Sequence, residues 1–211
     1  FFPFFISKQK YDIKQITDDV NLDWSALIVP DFFINHLTHT KKYNFFKLEV
    51  EEDMVLDIRE NWLDFNAYVD DLRSKYRKKI NTILEKSKDM NIVELCENDI
   101  NAYSSDLQNL FNHVISESKF SGPAFNIKTL AFFVKKKHVK VYGYFLKNHV
   151  VGFSSEFKNG NDLYAYYVGF EEDANKNYAI YGRILTETIR NAINCKSQKI
   201  IFGRSASEFK S

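Results

Sequence analysis

Alternation and three-and-four spacing divide the second half of the chain. Residues 139–145, 150–157 and 163–170 each alternate or run apolar as strands do, with turn residues at 147–149 and 159–161 between them, so they predict a three-stranded antiparallel meander. A polar stretch without apolar period, 171–177, comes next and reads as a loop. Ile180, Ile184, Leu185, Ile189 and Ile193 then recur at helical spacing over 178–194, and 199–202 returns as a strand. Strand, crossover helix and strand in that order predict a parallel pair. The loop before the helix then opens at one edge of the sheet, where α/β proteins usually place ligands.

Upstream, 61–90 is the longest helical pattern, with Phe65, Val69, Leu72, Tyr76, Ile80 and Ile83 or Leu84 on one face and Asp64 placed to cap it. A strand is predicted at 91–95. Asp99 is expected to cap a helix whose stripe is Leu107, Leu110, Phe111, Val114 and Ile115, and Asn126 a further helix over 127–136. The first sixty residues are less regular: a strand at 25–29 closed by Pro30, then 45–50 and 54–58 as a hairpin or as consecutive strands. These elements predict an α+β or α/β domain over 61–211, preceded by a partial N-terminal region over 1–60. Because the chain stops directly after a strand, the domain is expected to continue past residue 211.

Composition narrows the class only a little. At 211 residues, 45% of them hydrophobic and with twenty Phe and twelve Tyr, the chain can bury a sizeable core. A formal charge of +1 gives no global field for nucleic acid or acidic substrates. A local patch remains at Arg73, Lys75, Arg77, Lys78 and Lys79, which reads either as a solvated helix face or as a phosphate-binding surface for a nucleotide or tRNA. Cys96 and Cys195, far apart in sequence, read as free thiols of a reducing compartment. His36 and His39 have helical metal spacing without a third ligand nearby, and His113, His138 and His149 form no constellation, so no metal is expected. No apolar run is long enough to span a bilayer.

Several short motifs, in order, carry a resemblance: LRSKYRKKI at 72–80, NHVVGF at 148–153, YVGF at 167–170, YAIY at 178–181 and FGRSASEFKS at 202–211. Their order resembles the GNAT acyltransferases, and within these the Fem-type branch that includes the peptidoglycan-bridge aminoacyltransferases. The resemblance runs from about residue 65 to the end and weakly over 22–64. It implies a GNAT-like mixed sheet with an antiparallel meander, a crossover helix and a parallel strand, flanked by helices. It also implies a cytoplasmic acyl- or aminoacyltransferase that takes its group from acyl-CoA or aminoacyl-tRNA and gives it to a small-molecule or cell-wall-precursor amine. The alternative is a GNAT-like module that binds ligand without transfer.

The same resemblance assigns roles. Lys210 matches a lysine that neutralises charge building on the donor carbonyl, against the reading of an exposed lysine. Arg204 is a phosphate or carboxylate partner or a surface ion pair. Glu156 is a general base or a solvent-facing strand glutamate. Tyr181 donates its hydroxyl to substrate or joins the core stripe. Amides near Tyr178, Gly182 and Arg183 are expected to meet a donor phosphate at the helix N-terminus. Acetyl-CoA enzymes resemble one another in a glycine-rich stretch here, whereas this chain offers only Gly182, with Tyr178 and Ile180 crowding the cradle. Ser205 has no sequence-local His or Asp partner and is not expected to be a nucleophile. Gly169 predicts a bulge or a close backbone approach.

Overall fold

The computed structural model describes residues 10–12, 14, 37–38, 46, 53–117 and 125–203. Contacts divide the chain into two units, Phe1–Val50 and Glu51–Ser211. In the first, the described strands β1 (Tyr11–Asp12) and β2 (Leu37–Thr38) pair in parallel. The expected strands at 25–29 and 45–50, together with His36 and His39, lie outside the described residues.

The second unit is built on a six-stranded sheet. Its strands are β3 (Met54–Asp57), β4 (Met90–Glu94), β5 (Lys140–Leu146), β6 (His149–Asn159), β7 (Asp162–Phe170) and β8 (Lys199–Gly203), in the spatial order β3-β8-β7-β6-β5-β4. All neighbours are antiparallel except β7 and β8, which run parallel as the strand–helix–strand pattern predicts. Strand β3 is the exception to sequence locality. It falls within the N-terminal region of the sequence reading, yet it pairs with β8 at the far end of the chain.

Seven described helices flank the sheet: α1 (Phe65–Asp71), α2 (Ser74–Lys86), α3 (Glu97–Ala102), α4 (Ser104–Glu117), α5 (Lys128–Lys135), α6 (Glu172–Tyr178) and α7 (Ile180–Asn194). Asp64 caps α1, its Oδ1 accepting from the Ala67 amide at 2.8 Å. The long helix predicted over 61–90 is broken, because Leu72 is extended (ψ 146°) and ends α1 before α2 begins. Apolar spacing carried across the break hid it, since both helices face the same core. Asp99 is not the cap residue of α3: it lies inside the first turn and accepts from the Cys96 amide at 2.9 Å, the return arm of a capping box. The expected loop at 171–177 contains helix α6, whose polar residues gave no apolar period to read.

Alternate strand residues supply two cores. Val141, Val150 and Phe153 face α3, α4 and α5, joining Ile100, Leu107, Leu110 and Leu130. On the opposite face, Leu163 and Ile200 pack under Ile189, Ala192 and Ile193 of α7 with Phe65 and Tyr68 of α1, while Tyr144 and Val151 meet Ile180 and Ile184. Gly169 permits the first of these arrangements. A Cβ there would stand 2.7 Å from the Leu110 carbonyl carbon and 2.8 Å from the Phe111 nitrogen, so only glycine lets α4 seat on β7.

Candidate functional site

Two features meet near the middle of the sheet. The first is a parting of strands. The parallel register of β7 and β8 covers Asp162↔Lys199, Leu163↔Ile200 and Tyr164↔Ile201 and stops there, while β7 runs on to Phe170 and β8 to Gly203. A bulge lies on β7 just past that point. Ser154↔Val168 and Glu156↔Ala165 bracket Ser155, which opposes both Tyr166 and Tyr167. The Ser155 hydroxyl spans the irregularity, accepting from the Tyr167 amide at 2.9 Å and donating to the Tyr167 carbonyl at 3.0 Å. Bulges increase local twist, which turns β7 away from its parallel neighbour.

The second feature is polar and lies on the α7 face. Glu156, 2% exposed, stands across from Ala165, the first β7 residue beyond the parallel register. Asn191 of α7 donates Nδ2 to both carboxylate oxygens, at 3.3 and 3.1 Å. Burial pushes this carboxyl up to about 7, against the opposing pull of hydrogen bonds from Thr188 and Asn191 and the charge of Lys140. Beside it, a cavity of about 340 Å³ opens between α7, the edge strand β4 and its neighbour β5, with Tyr142, Asn191, Arg183 and Glu187 on its wall. Arg183 is mostly buried and committed: Nε donates to Glu187 at 2.7 Å, and Nη1 donates to the Ser87 hydroxyl at 3.0 Å.

The expected anion cradle at the start of α7 is engaged within the protein. The Ala179 amide donates to the Asn175 carbonyl, the Tyr181 amide to the Asn175 side chain at 2.8 Å, and the Arg183 amide to the Ala179 carbonyl. Helix α6 thus caps α7 through Asn175, with Ala179 between them in the left-handed region (φ 52°). Gly182 faces α2 rather than a ligand cleft, since a Cβ there would stand 2.9 Å from Ile83 Cδ1. Ile180 is fully buried and Tyr178 is 37% exposed. Of the amides expected to meet a donor phosphate, that of Tyr181 is thus already bonded within the protein.

Of the remaining sequence candidates, Glu156 is buried and is therefore not a solvent-facing strand glutamate. Tyr181 lies against Phe170, ring centroids 5.3 Å apart, and burial raises its hydroxyl to about 12. Lys210, Arg204 and Ser205 lie outside the described residues. His149 pairs with Glu171 and His113 with Glu172, which ties the loop after β7 to the meander and to α4. Sequence reading missed Tyr142, Thr188, Glu187 and Asn191. The one available signal was Thr188, Glu187 and Asn191 interrupting the apolar period of a helix that is buried on more than one face. Among the described residues no group of His, Cys, Asp or Glu could hold a metal ion, and no helix is long and apolar enough to cross a membrane.

No family model matches the chain, and no curated protein sequence matches it. Among solved structures, FemX superposes on 74% of this chain and 55% of its own length, with a TM-score of 0.53 at 8% identity. The fold is GNAT-like. A conserved protein of unknown function from Bacteroides thetaiotaomicron covers 75% of the chain and 52% of itself, at TM-score 0.50 and 11% identity. The chain thus spans about half the length of either structure. An aminoglycoside acetyltransferase from an uncultured soil metagenomic sample, in complex with sisomicin, overlaps 57% of the chain and 80% of itself, with TM-score 0.45 and 19% identity.

Proposed function

We propose that this chain carries the transferase half of a Fem-type protein, moving an acyl or aminoacyl group from an activated carbonyl donor to an amine. The observation that carries the reading is the parting of β7 from β8 beyond Tyr164 and Ile201, with Glu156 on the neighbouring strand at the same level. A gap between strands is where backbone donors can receive a carbonyl oxygen, and such donors act most strongly where water is excluded. In the step proposed, the amine nitrogen bonds to the carbonyl carbon and the donor's leaving group departs with its electron pair. The proton lost by the attacking nitrogen passes to Glu156, whose carboxyl near 7 suits proton exchange at neutral pH. Lys210 would balance charge on the carbonyl oxygen, Arg204 would meet a phosphate or carboxylate of the donor, and Tyr181 would lie at the mouth of the gap.

An aminoacyl-tRNA ester, or an acyl-CoA held away from the start of α7, agrees better with the Tyr181 amide already bonded to Asn175 than a donor clasped there by its pyrophosphate. A cell-wall-precursor amine in the cytoplasm is the acceptor that the Fem-type reading names. The same engaged amide favours one rival, a module that binds ligand and has lost transfer. Incubation with charged tRNA or acyl-CoAs and an amine panel, read by mass spectrometry for new amide, separates the two. Transfer should fall about a hundredfold in Lys210→Ala. Donor binding without any amide product would establish the rival.

A further inference from the structure

The cavity beside Glu156 has a chemistry of its own. Its floor is apolar, from Met90 and Ile92 of the edge strand β4, and its rim carries Glu94. The guanidinium on its wall, Arg183, is held by Glu187 and Ser87. Of the cations around it, Lys140 binds Glu94 at 3.1 Å and Arg190 binds Glu187 at 3.1 Å while lying over the Phe65 ring. An incoming anion would therefore meet cations whose charge is already largely balanced, and Glu94 in turn keeps only one carboxylate oxygen clear of Lys140. Acceptors are easier to find. Asn191 commits its Nδ2 to Glu156, so Oδ1 is the atom it can offer a ligand, and Tyr142 presents its hydroxyl on the same wall. Glu156 is bonded by Asn191, which lines the cavity, and has hydrogen-bond donors rather than an ion-paired cation as its partners.

We propose that this cavity binds a primary ammonium group on a short hydrocarbon chain, the ammonium donating to Asn191, Tyr142 and Glu94 and the chain lying on Met90 and Ile92. Glu156 acts through Asn191. Its ionised form stabilises the cation, so ligand affinity rises as pH climbs through about 7 and a proton leaves as the ligand enters. The groups facing Glu156 from the neighbouring elements are Lys140 and Tyr144 on β5 and Thr188, Glu187 and Asn191 on α7, and burial holds the Tyr144 hydroxyl far above its ordinary range. The site extends the transferase reading by naming where a cationic amine is received, but it stands on the cavity alone. A chain that binds amines and forms no amide would defeat the transferase reading and leave this one intact.

Three probes of one length test it: pentylamine, pentan-1-ol and pentanoate, titrated into the full chain without any acyl donor and followed by calorimetry or amide chemical shifts. Pentylamine should saturate the cavity and bind at least about tenfold more tightly than either analogue. Its affinity should grow between pH 6 and pH 8, and Glu156→Gln should flatten that growth. Equal binding of the alcohol, preference for the carboxylate, or absence of saturation would overturn the proposal. Should Asn191→Leu prevent folding by stranding Glu156, Tyr142→Phe and Glu94→Gln keep the local shape and must each weaken pentylamine relative to pentanol, failing which the site is disproved.

Discussion

The two faces of the sheet are built on opposite rules. On the α4 side, Phe153, Val141, Ile100, Leu107 and Leu130 are fully buried with no acidic or basic side chain in the cluster, its only ionisable neighbours being the partly buried Tyr103, Tyr166 and Tyr167. On the α7 side, Glu156, Ser154, Thr186 and Thr188 are as deeply buried, and Tyr144 is 1% exposed with its hydroxyl 3.2 Å from Ser154 Oγ. Apolar burial stabilises at every pH, whereas a buried carboxyl stabilises only while it keeps its proton. A fold that tolerates the second arrangement on one face has concentrated its buried polar groups there.

The largest break comes on the apolar face. Phe153→Ala removes a fully buried ring against α4 and should cost about 4 kcal/mol. Gly169→Ala should cost about 3 kcal/mol, because its new methyl meets the backbone of Leu110 and Phe111, which cannot swing aside as a side chain can. Urea titrations at pH 5 and pH 8 should return the same loss for each variant. A loss that changed with pH would show that ionisable groups reach this face, and the contrast would fall.

How much of this was readable in the chain follows the same division. Strands β5, β6 and β7 and helix α7 were legible because alternation and three-and-four spacing record burial directly. Strand β3 joining β8 was not, since pairing across so much sequence leaves no local trace. Helix α6 was missed for want of an apolar face, and with it the capping of α7 by Asn175, which takes up the Tyr181 amide of the cradle that the resemblance implied. Glu156 was visible as a candidate, but its burial was not. Only packing against residues as distant in sequence as Asn191, thirty-five positions away, excludes the solvent-facing reading.

Glu156→Gln sharpens the contrast from the polar side. Below pH 4.5 both folded and unfolded chains hold the Glu156 proton, and the variant should match the parent. Between 4.5 and about 7 the unfolded chain loses that proton while the folded one keeps it, so parent stability declines as pH rises and the contribution is gone above 7. The glutamine suffers no such decline and can still accept from Asn191. By pH 8 the variant should be more stable by something on the order of 3 kcal/mol, read as a higher melting temperature at pH 8 and an equal one at pH 4. Equal melting curves at both values would mean that the carboxyl ionises freely in the fold, and the polar face would lose its distinction.

The smallest effect tests whether the polar face is one network or several. Tyr144→Phe leaves Ser154 buried without its partner and should cost about 1 kcal/mol. Removing both ends, in Tyr144→Phe with Ser154→Ala, should recover most of that loss, because no polar atom is then stranded. If the hydroxyl pair is self-contained, the Tyr144→Phe cost will be the same in the parent and in Glu156→Gln, measured by denaturant unfolding at pH 8. A cost that shrinks in the Glu156→Gln background would mean that the ionised carboxylate and the tyrosine are coupled across Ser154. Charge introduced by a bound amine would then be felt by Tyr144 as well, and the polar face would respond to its ligand as a unit.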